Sequence, residues 1–175
     1  MAEAQQQLEC RGLRVQLRWP VPVGALRYFS PAGDFAGRLR AAGLALPETG
    51  QAREERGRGL ILAWRSPTET VCLATSEQVL TELGQPLAAA ADGCLVDLTG
   101  AFAVLHLAGE RIAELCDRLG GSAWLPQPGE ARRCRMADLP VLALCVQQGE
   151  VSLLIERGFA EHLLGWIRES LLDFP

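Results

Sequence analysis

The sequence contains no lysine; all 17 of its basic residues are arginine. That absence excludes a Schiff-base lysine, a phosphate-loop lysine and a lysine general base. The arginine excess fits the compositional bias of GC-rich coding, since Ala, Gly, Leu and Pro are also abundant. The competing reading is bidentate pairing by arginine forks at an interface. Histidine is scarce, with two residues, and no pair of cysteines stands at a C-x-x-C spacing. With no H-x-x-x-H or H-E-x-x-H either, the three or four converging ligands of a zinc or iron–sulfur site are not supplied by this chain alone. Neither G-x-G-x-x-G, G-x-x-x-x-G-K-[ST] nor G-x-S-x-G occurs. The nearest glycine-rich stretches, Gly57-Arg58-Gly59 and Gly120-Gly121-Ser122, fit turns. No apolar run is long enough to cross a bilayer. A net charge of -4 and a pI near 5.3 argue against a nucleic-acid footprint, which would be basic.

What is present is a core. Of 175 residues, 49% are hydrophobic, enough to fold without disulfides or a structural metal. The six cysteines (Cys10, Cys72, Cys94, Cys116, Cys134 and Cys145) are widely scattered. Cys94, Cys116 and Cys145 sit among apolar neighbours, where a free thiol behaves as a small hydrophobe. Residues 1–9 are polar, without the apolar stretch of a secretory leader. A cytoplasmic location with free thiols follows as the expectation. The same residues, rich in Gln, Glu and Ala, read as a disordered tail. Residues 10–175 read as a single α+β domain, with two pseudo-repeated halves, 10–92 and 93–175, as a further division.

Alternation of apolar and polar residues makes Leu13–Trp19 a half-buried strand, ended by Pro20 and Pro22. Ser30-Pro31 opens a short helix carrying Phe35, Leu39 and Ala42 on one face, and Gly43 stops it. The charged, glycine-rich stretch 47–59 reads as a loop. Residues 59–64 and 70–74 form a hairpin through 65–69. Thr75 opens a helix, with Gln78 placed for a capping box and Val79, Leu80, Leu83 and Leu87 as its stripe. Strands follow at 94–98 and 101–107, then an amphipathic helix over 110–119, strands at 132–137, 141–146 and 151–156, and a last helix over 159–172. Its expected stripe is Phe159, Leu163, Trp166, Ile167 and Leu171. The order after Gly59, β-β-α-β-β-α-β-β-β-α, predicts a mostly antiparallel α+β fold with split β-α-β, ferredoxin-like halves.

Three polar residues qualify as candidates for chemistry. His106, inside Val104–Ala108, is either a buried base or, more commonly for such a position, a satisfied sheet-face residue. His162 lies off the apolar stripe of the last helix and reads as solvated. Asp97 is a carboxylate inside an apolar strand, and must be paired, capped or functional; the ordinary reading is that it bonds the backbone of the Thr99-Gly100 turn. No catalytic, cofactor-binding or metal-ligating residue is assigned.

Three stretches together resemble one family. The first is Trp64-Arg65-Ser66-Pro67-Thr68-Glu69-Thr70, a tryptophan-ended strand with an x-Pro-x-Glu turn. The second is Val96–Gly109 (VDLTGAFAVLHLAG), similar to a "vDlSdrfaalrLsGp" segment. The third is Glu156–Ile167 (ERGFAEHLLGWI), similar to an "RSFAxxLxxWL" closing helix. Their order and spacing resemble the gamma subunit of heterotetrameric sarcosine oxidase, over about residues 60–174. That family shares its fold with the folate-binding domain of glycine-cleavage aminomethyltransferases. The resemblance implies a non-catalytic accessory subunit that packs against alpha- and beta-like flavoprotein subunits. It implies no cofactor in this chain, with flavins, NAD and tetrahydrofolate held by the partners during oxidative demethylation of sarcosine. The chain departs from the pattern at Ser66, Thr68 and Thr70 of the turn (usually Gly-Pro-Asp-Glu-Trp), at Gly158, which stands where serine is usual, and over 117–125, where a "lakgcplDl" stretch is usual. These departures fit a divergent member serving a related N-methyl amine oxidase.

Two further functions stay open at this point. One is a stand-alone folate-binding, small-molecule-binding or aminomethyl-transfer protein, with a pterin pocket near Asp97 or Trp124. The other is a self-assembling structural protein, forming homo-oligomers through an exposed Trp124-Leu125-Pro126 surface.

Overall fold

A computed structural model describes residues 4–174. It divides into two compact units. One is Val21–Thr99; the other combines the chain up to Pro20 with everything from Gly100 onward. Each is built on one antiparallel sheet with two helices.

The elements, numbered from the N-terminus, are β1 (Ala4–Cys10), β2 (Leu13–Trp19), β3 (Val23–Tyr28), α1 (Asp34–Ala41), β4 (Ala52–Glu55), β5 (Leu60–Ser66), β6 (Glu69–Ala74), α2 (Glu77–Gly84), β7 (Gly93–Asp97), β8 (Phe102–Ala108), α3 (Ile112–Leu119), β9 (Glu130–Met136), β10 (Leu139–Cys145), β11 (Glu150–Glu156) and α4 (Arg157–Leu172). In the Val21–Thr99 unit the sheet order is β4-β5-β6-β3-β7. Setting β4 aside, β3-α1-β5 is a split β-α-β with β6 inserted between its strands, and β7 closes the other side. In the second unit the order is β1-β2-β8-β11-β10-β9. There β8-α3-β10 is split by β11, and the place that β7 takes beside β3 is taken beside β8 by β2. The ferredoxin-like reading of the sequence therefore describes both units.

The division differs from the expected halves at 92/93. β7 pairs with β3, from Gly24↔Asp97 to Tyr28↔Gly93, while β8 pairs with β2 and β11. The repeat is β-α-β-β-β-α, over β3–α2 and again over β8–α4. In each case the strand preceding the repeat pairs with the first strand of the other copy.

Three strands are absent from the sequence reading. Residues 4–9, expected to be a disordered tail, form β1, paired along its length with β2 from Ala4↔Trp19 to Cys10↔Leu13; residues 1–3 of that tail lie outside the described residues. Backbone pairing does not need apolar side chains, and β1 supplies Leu8 and Cys10 to the edge of the core. The stretch 47–59, expected to be a loop, contains β4, a charged edge strand on β5. β3 is buried on both faces and so lacks alternation.

Helix starts also shift. α1 begins at Asp34 rather than near Ser30, whose hydroxyl instead accepts from Ala32 N in the preceding turn. Asp92 caps the helix from 57 residues away, its Oδ1 accepting from Phe35 N at 2.7 Å. Ser76, not Thr75, caps α2, accepting from Val79 N at 3.3 Å, and Gln78 bonds Glu82 instead of closing a capping box. Gly43, at φ 75°, ends α1 as expected.

Each unit has its own core. Leu26, Phe35, Leu39, Leu62, Leu80 and Leu83 are buried together in one. Val15, Leu105, Leu107, Leu115, Leu153 and Leu163 are buried in the other. Gly109 closes β8 at φ 131°, and a Cβ there would overlap the carbonyl oxygen of Gly12. Gly100, at φ 99°, has open space around it. Gly109→Ala is therefore expected to destabilise by at least about 2 kcal/mol, and Gly100→Ala by only about 1 kcal/mol, because only the first adds a backbone clash to the strained dihedral. Urea midpoints of the two variants check the order.

Candidate functional site

His106 stands on β8 opposite Ser152 of β11 and Gln16 of β2. Its Nδ1 lies 3.3 Å from Ser152 Oγ and its Nε2 lies 3.5 Å from Glu150 Oε2. The side chain is 30% exposed. Burial lowers its pKa below the ordinary value; Glu150 pulls it up, and Arg18 and Arg14 push it further down. Histidine, hydroxyl and carboxylate thus touch in series, but as cross-strand neighbours on a sheet. Only the His106 ring contacts both partners, and both of its nitrogens are engaged. The arrangement is that of a satisfied sheet-face histidine.

Asp97 is exposed at the end of β7, and its Oδ1 accepts from Thr99 N at 2.8 Å. That is the turn-capping role expected of it. His162 is exposed on α4, where its Nε2 accepts a hydrogen bond from Trp166 Nε1 at 3.1 Å. Trp124 is half-buried against the core of its unit, with Leu125 beside it, and Pro126 is buried. The expected exposed Trp124-Leu125-Pro126 surface is therefore corrected: the segment packs inward.

The thiols are all free. Burial pushes Cys72 and Cys116 up to about 12 and Cys134 to about 11, so these remain protonated at neutral pH and are poor nucleophiles. Cys94, expected among buried neighbours, is exposed on the edge strand β7. Among the described residues no three His, Cys, Asp or Glu side chains group as metal ligands, and no helix is long and apolar enough to cross a membrane.

The open surface features lie elsewhere. A cleft of about 570 Å³ in the Val21–Thr99 unit is lined by Arg27, Tyr28, Phe29, Glu69, Gly93 and Cys94, among others. Phe29 is 86% exposed. Glu69 is the anchor of its polar wall, accepting from Arg65 at 2.7 Å and Arg27 at 2.8 Å. This is the glutamate of the x-Pro-x-Glu turn, and its side chain is only 15% exposed. In the other unit, α4 buries Ala160, Leu163, Leu164 and Ile167. Phe159 and Trp166, expected on the same stripe, point outward at 40% and 52% exposure. A shallow cleft of about 310 Å³ surrounds Trp166, between Glu161, His162 and Glu169.

Sequence reasoning missed the Phe29 cleft because β3 and β7, which form it, are about 70 residues apart in the chain, and pairing at that separation leaves no local pattern. The outward turn of Trp166 had a signal: its neighbours at i−4, i+3 and i+4 are the polar His162, Glu169 and Ser170.

No protein-family model and no curated protein sequence matches the chain. Solved structures do. A chain of heterotetrameric sarcosine oxidase from Corynebacterium sp. U-96, solved with pyrrole 2-carboxylate, superposes with a TM-score of 0.79 at 23% identity, covering 96% of this chain and 88% of that one. The glycine-cleavage aminomethyltransferase T of Bartonella henselae superposes with a TM-score of 0.62 at 17% identity, over 87% of this chain and 44% of its own. The chain has this shared fold, the folate-binding aminomethyltransferase-like α+β fold.

The lowered pKa of His106 has a consequence for stability. In the unfolded chain it titrates near 6.5, and in the fold it holds its proton less well, so protons bind the unfolded state preferentially just below that pH. Its contribution is complete above about pH 6.5 and is lost as pH falls through the interval between the two values. His106→Gln is expected to flatten that part of the Tm-against-pH curve relative to the native chain, as differential scanning fluorimetry would show.

Proposed function

We propose that this chain is a non-catalytic, gamma-like accessory subunit of a flavin-dependent oxidase of sarcosine or a related N-methyl amine. It acts by packing against alpha- and beta-like flavoprotein subunits. In this reading the partners hold the flavins, NAD and tetrahydrofolate, and this chain binds none of them.

The observation that carries the reading is the near full-length likeness to a chain of a heterotetrameric sarcosine oxidase, set beside a site inventory in which the polar groups serve the fold. His106, Asp97 and Glu69 are each engaged by neighbouring groups. The large apolar groups left over face outward. Phe159 and Trp166 belong to the stretch that resembles the family's closing helix, yet the core of their unit does not use them. Burying an aromatic side chain of this size contributes about 2 kcal/mol, which a docked partner would recover.

Co-expression with the flavoprotein oxidase subunits is expected to yield one complex in which this chain co-purifies at equal stoichiometry. Trp166→Ala is expected to weaken that association by about 2 kcal/mol without lowering the Tm of the isolated chain, because the side chain is half exposed. A chain that purifies as a stable monomer, ignores those subunits and binds tetrahydrofolate saturably would replace this reading with the stand-alone folate-binding one.

A further inference from the structure

The two repeats are not equally complete. Beside β2, on the side away from β8, the six-stranded sheet carries β1. β7 holds the place in the other sheet that β2 holds here, and among the described residues no strand pairs beside it, the order ending at β7. Bonds from Phe29 N to Asp92 O and from Leu98 N to Val23 O fix which backbone groups of this segment turn toward β3. By alternation, the amides of Leu95 and Asp97 turn to the open edge. Among the described residues, no backbone or side-chain acceptor bonds them.

Two of the other three sheet edges are chemically guarded: β4 reads AREE and β9 reads EARRCRM, with charges along both, while β1 reads AQQQLEC, polar with one charge. Charged side chains on an edge discourage strand addition. β7 reads GCLVD, with its single charge at the end. The cleft lined by Phe29 lies at the opposite end of the strand, beside Gly93 and Cys94. Its exposed wall is predominantly apolar, and its two carboxylates are engaged: Glu69 accepts from Arg27 and Arg65, and Asp92 from Phe35 N. An open backbone ladder thus leads directly into a pocket suited to an apolar side chain, and these two features together define strand addition with a specificity pocket.

We propose that β7 is the docking edge for an extended segment of a partner subunit, which adds antiparallel to Gly93–Asp97 as the strand this sheet lacks. The occupant carries a basic residue opposite Asp97 and, four residues further on, an apolar side chain that enters the Phe29 cleft. Opposite charges directly across a ladder attract, and the cleft, whose carboxylates already have donors, favours an apolar side chain at the other end. This proposal rests on the accessory-subunit reading above and names one of its contact surfaces.

The test uses the full chain and the flavoprotein oxidase subunits. Amide hydrogen exchange is measured for the chain alone and in the complex, and affinity is titrated for the native chain and for Cys94→Lys, Cys94→Ser and Phe29→Ala. Both substituted side chains are exposed, and circular dichroism verifies their folding. Slowed exchange at Leu95 and Asp97 in the complex is expected, with affinity falling about tenfold for Cys94→Lys and Phe29→Ala and unchanged for Cys94→Ser. A complex that forms with unaltered exchange at 93–97 overturns the β7 assignment and leaves the accessory role standing. If no complex forms with the native chain, both are overturned.

Discussion

The pairing of β2 with β8 is the constraint on which the second unit depends. It joins Arg14↔Ala108 through Arg18↔Val104, residues about 90 positions apart, and it places Val15 and Leu17 over the same core as Leu105 and Leu107. Without β2 that sheet would present β8 as an edge, with two fully buried leucines on its core face uncovered along one side. β1 then follows, since among the described residues it pairs with β2 alone. The same device recurs in the Val21–Thr99 unit, where β7 borders β3 and brings Leu95 against the core. Ladders of such separation close late, because loop-closure entropy precedes the reward of contact, and folding of this chain is accordingly set by non-local pairing.

That constraint also explains what was legible in the sequence. Local signals were reliable: the alternation of Leu13–Trp19, the Pro67-Thr68 hairpin between β5 and β6, the stripe of α3, and the order of all elements after Gly59. The split β-α-β character followed from that order. What could not be read was the exchange of strands, because neither β2 nor β7 carries a mark of which repeat it joins. β1 and β4 were hidden by composition, being polar or charged strands held by backbone bonds. β3 was hidden by the opposite fault, a continuous buried stretch with no period. Asp97 was read correctly because a turn cap is a local event, whereas Asp92, which caps α1 from 57 residues away, had no local reason to be singled out.

The carboxylates show how the polar inventory is spent. Glu69 receives two arginines, Asp92 a helix amide, Asp97 a turn amide, and Asp117 the amide of Ser122 at 2.7 Å. The Ser122 hydroxyl and, after it, the Ser122 amide lower the Asp117 pKa. Exposed arginine–carboxylate pairs contribute only about 0–1 kcal/mol each, so their number here says little about stability. Glu69 differs because it is largely buried and doubly held. Losing it would remove the carboxylate that Arg27 and Arg65 share, so its role is to fix the shape of that wall.

That shape matters because of what stands beside it. A charged edge strand next to a cleft of unpaired charges would be inert toward another chain; an apolar edge beside a cleft whose carboxylates already have donors is adhesive. The chain keeps Phe29 and Trp166 in water, although each would be stabilised by about 2 kcal/mol if covered. Neither contributes to the core of its unit. A monomer gains nothing from such residues and incurs a risk of aggregation. They become favourable only when a second polypeptide covers them, and in the five-stranded sheet the charged edge β4 directs that covering to β7.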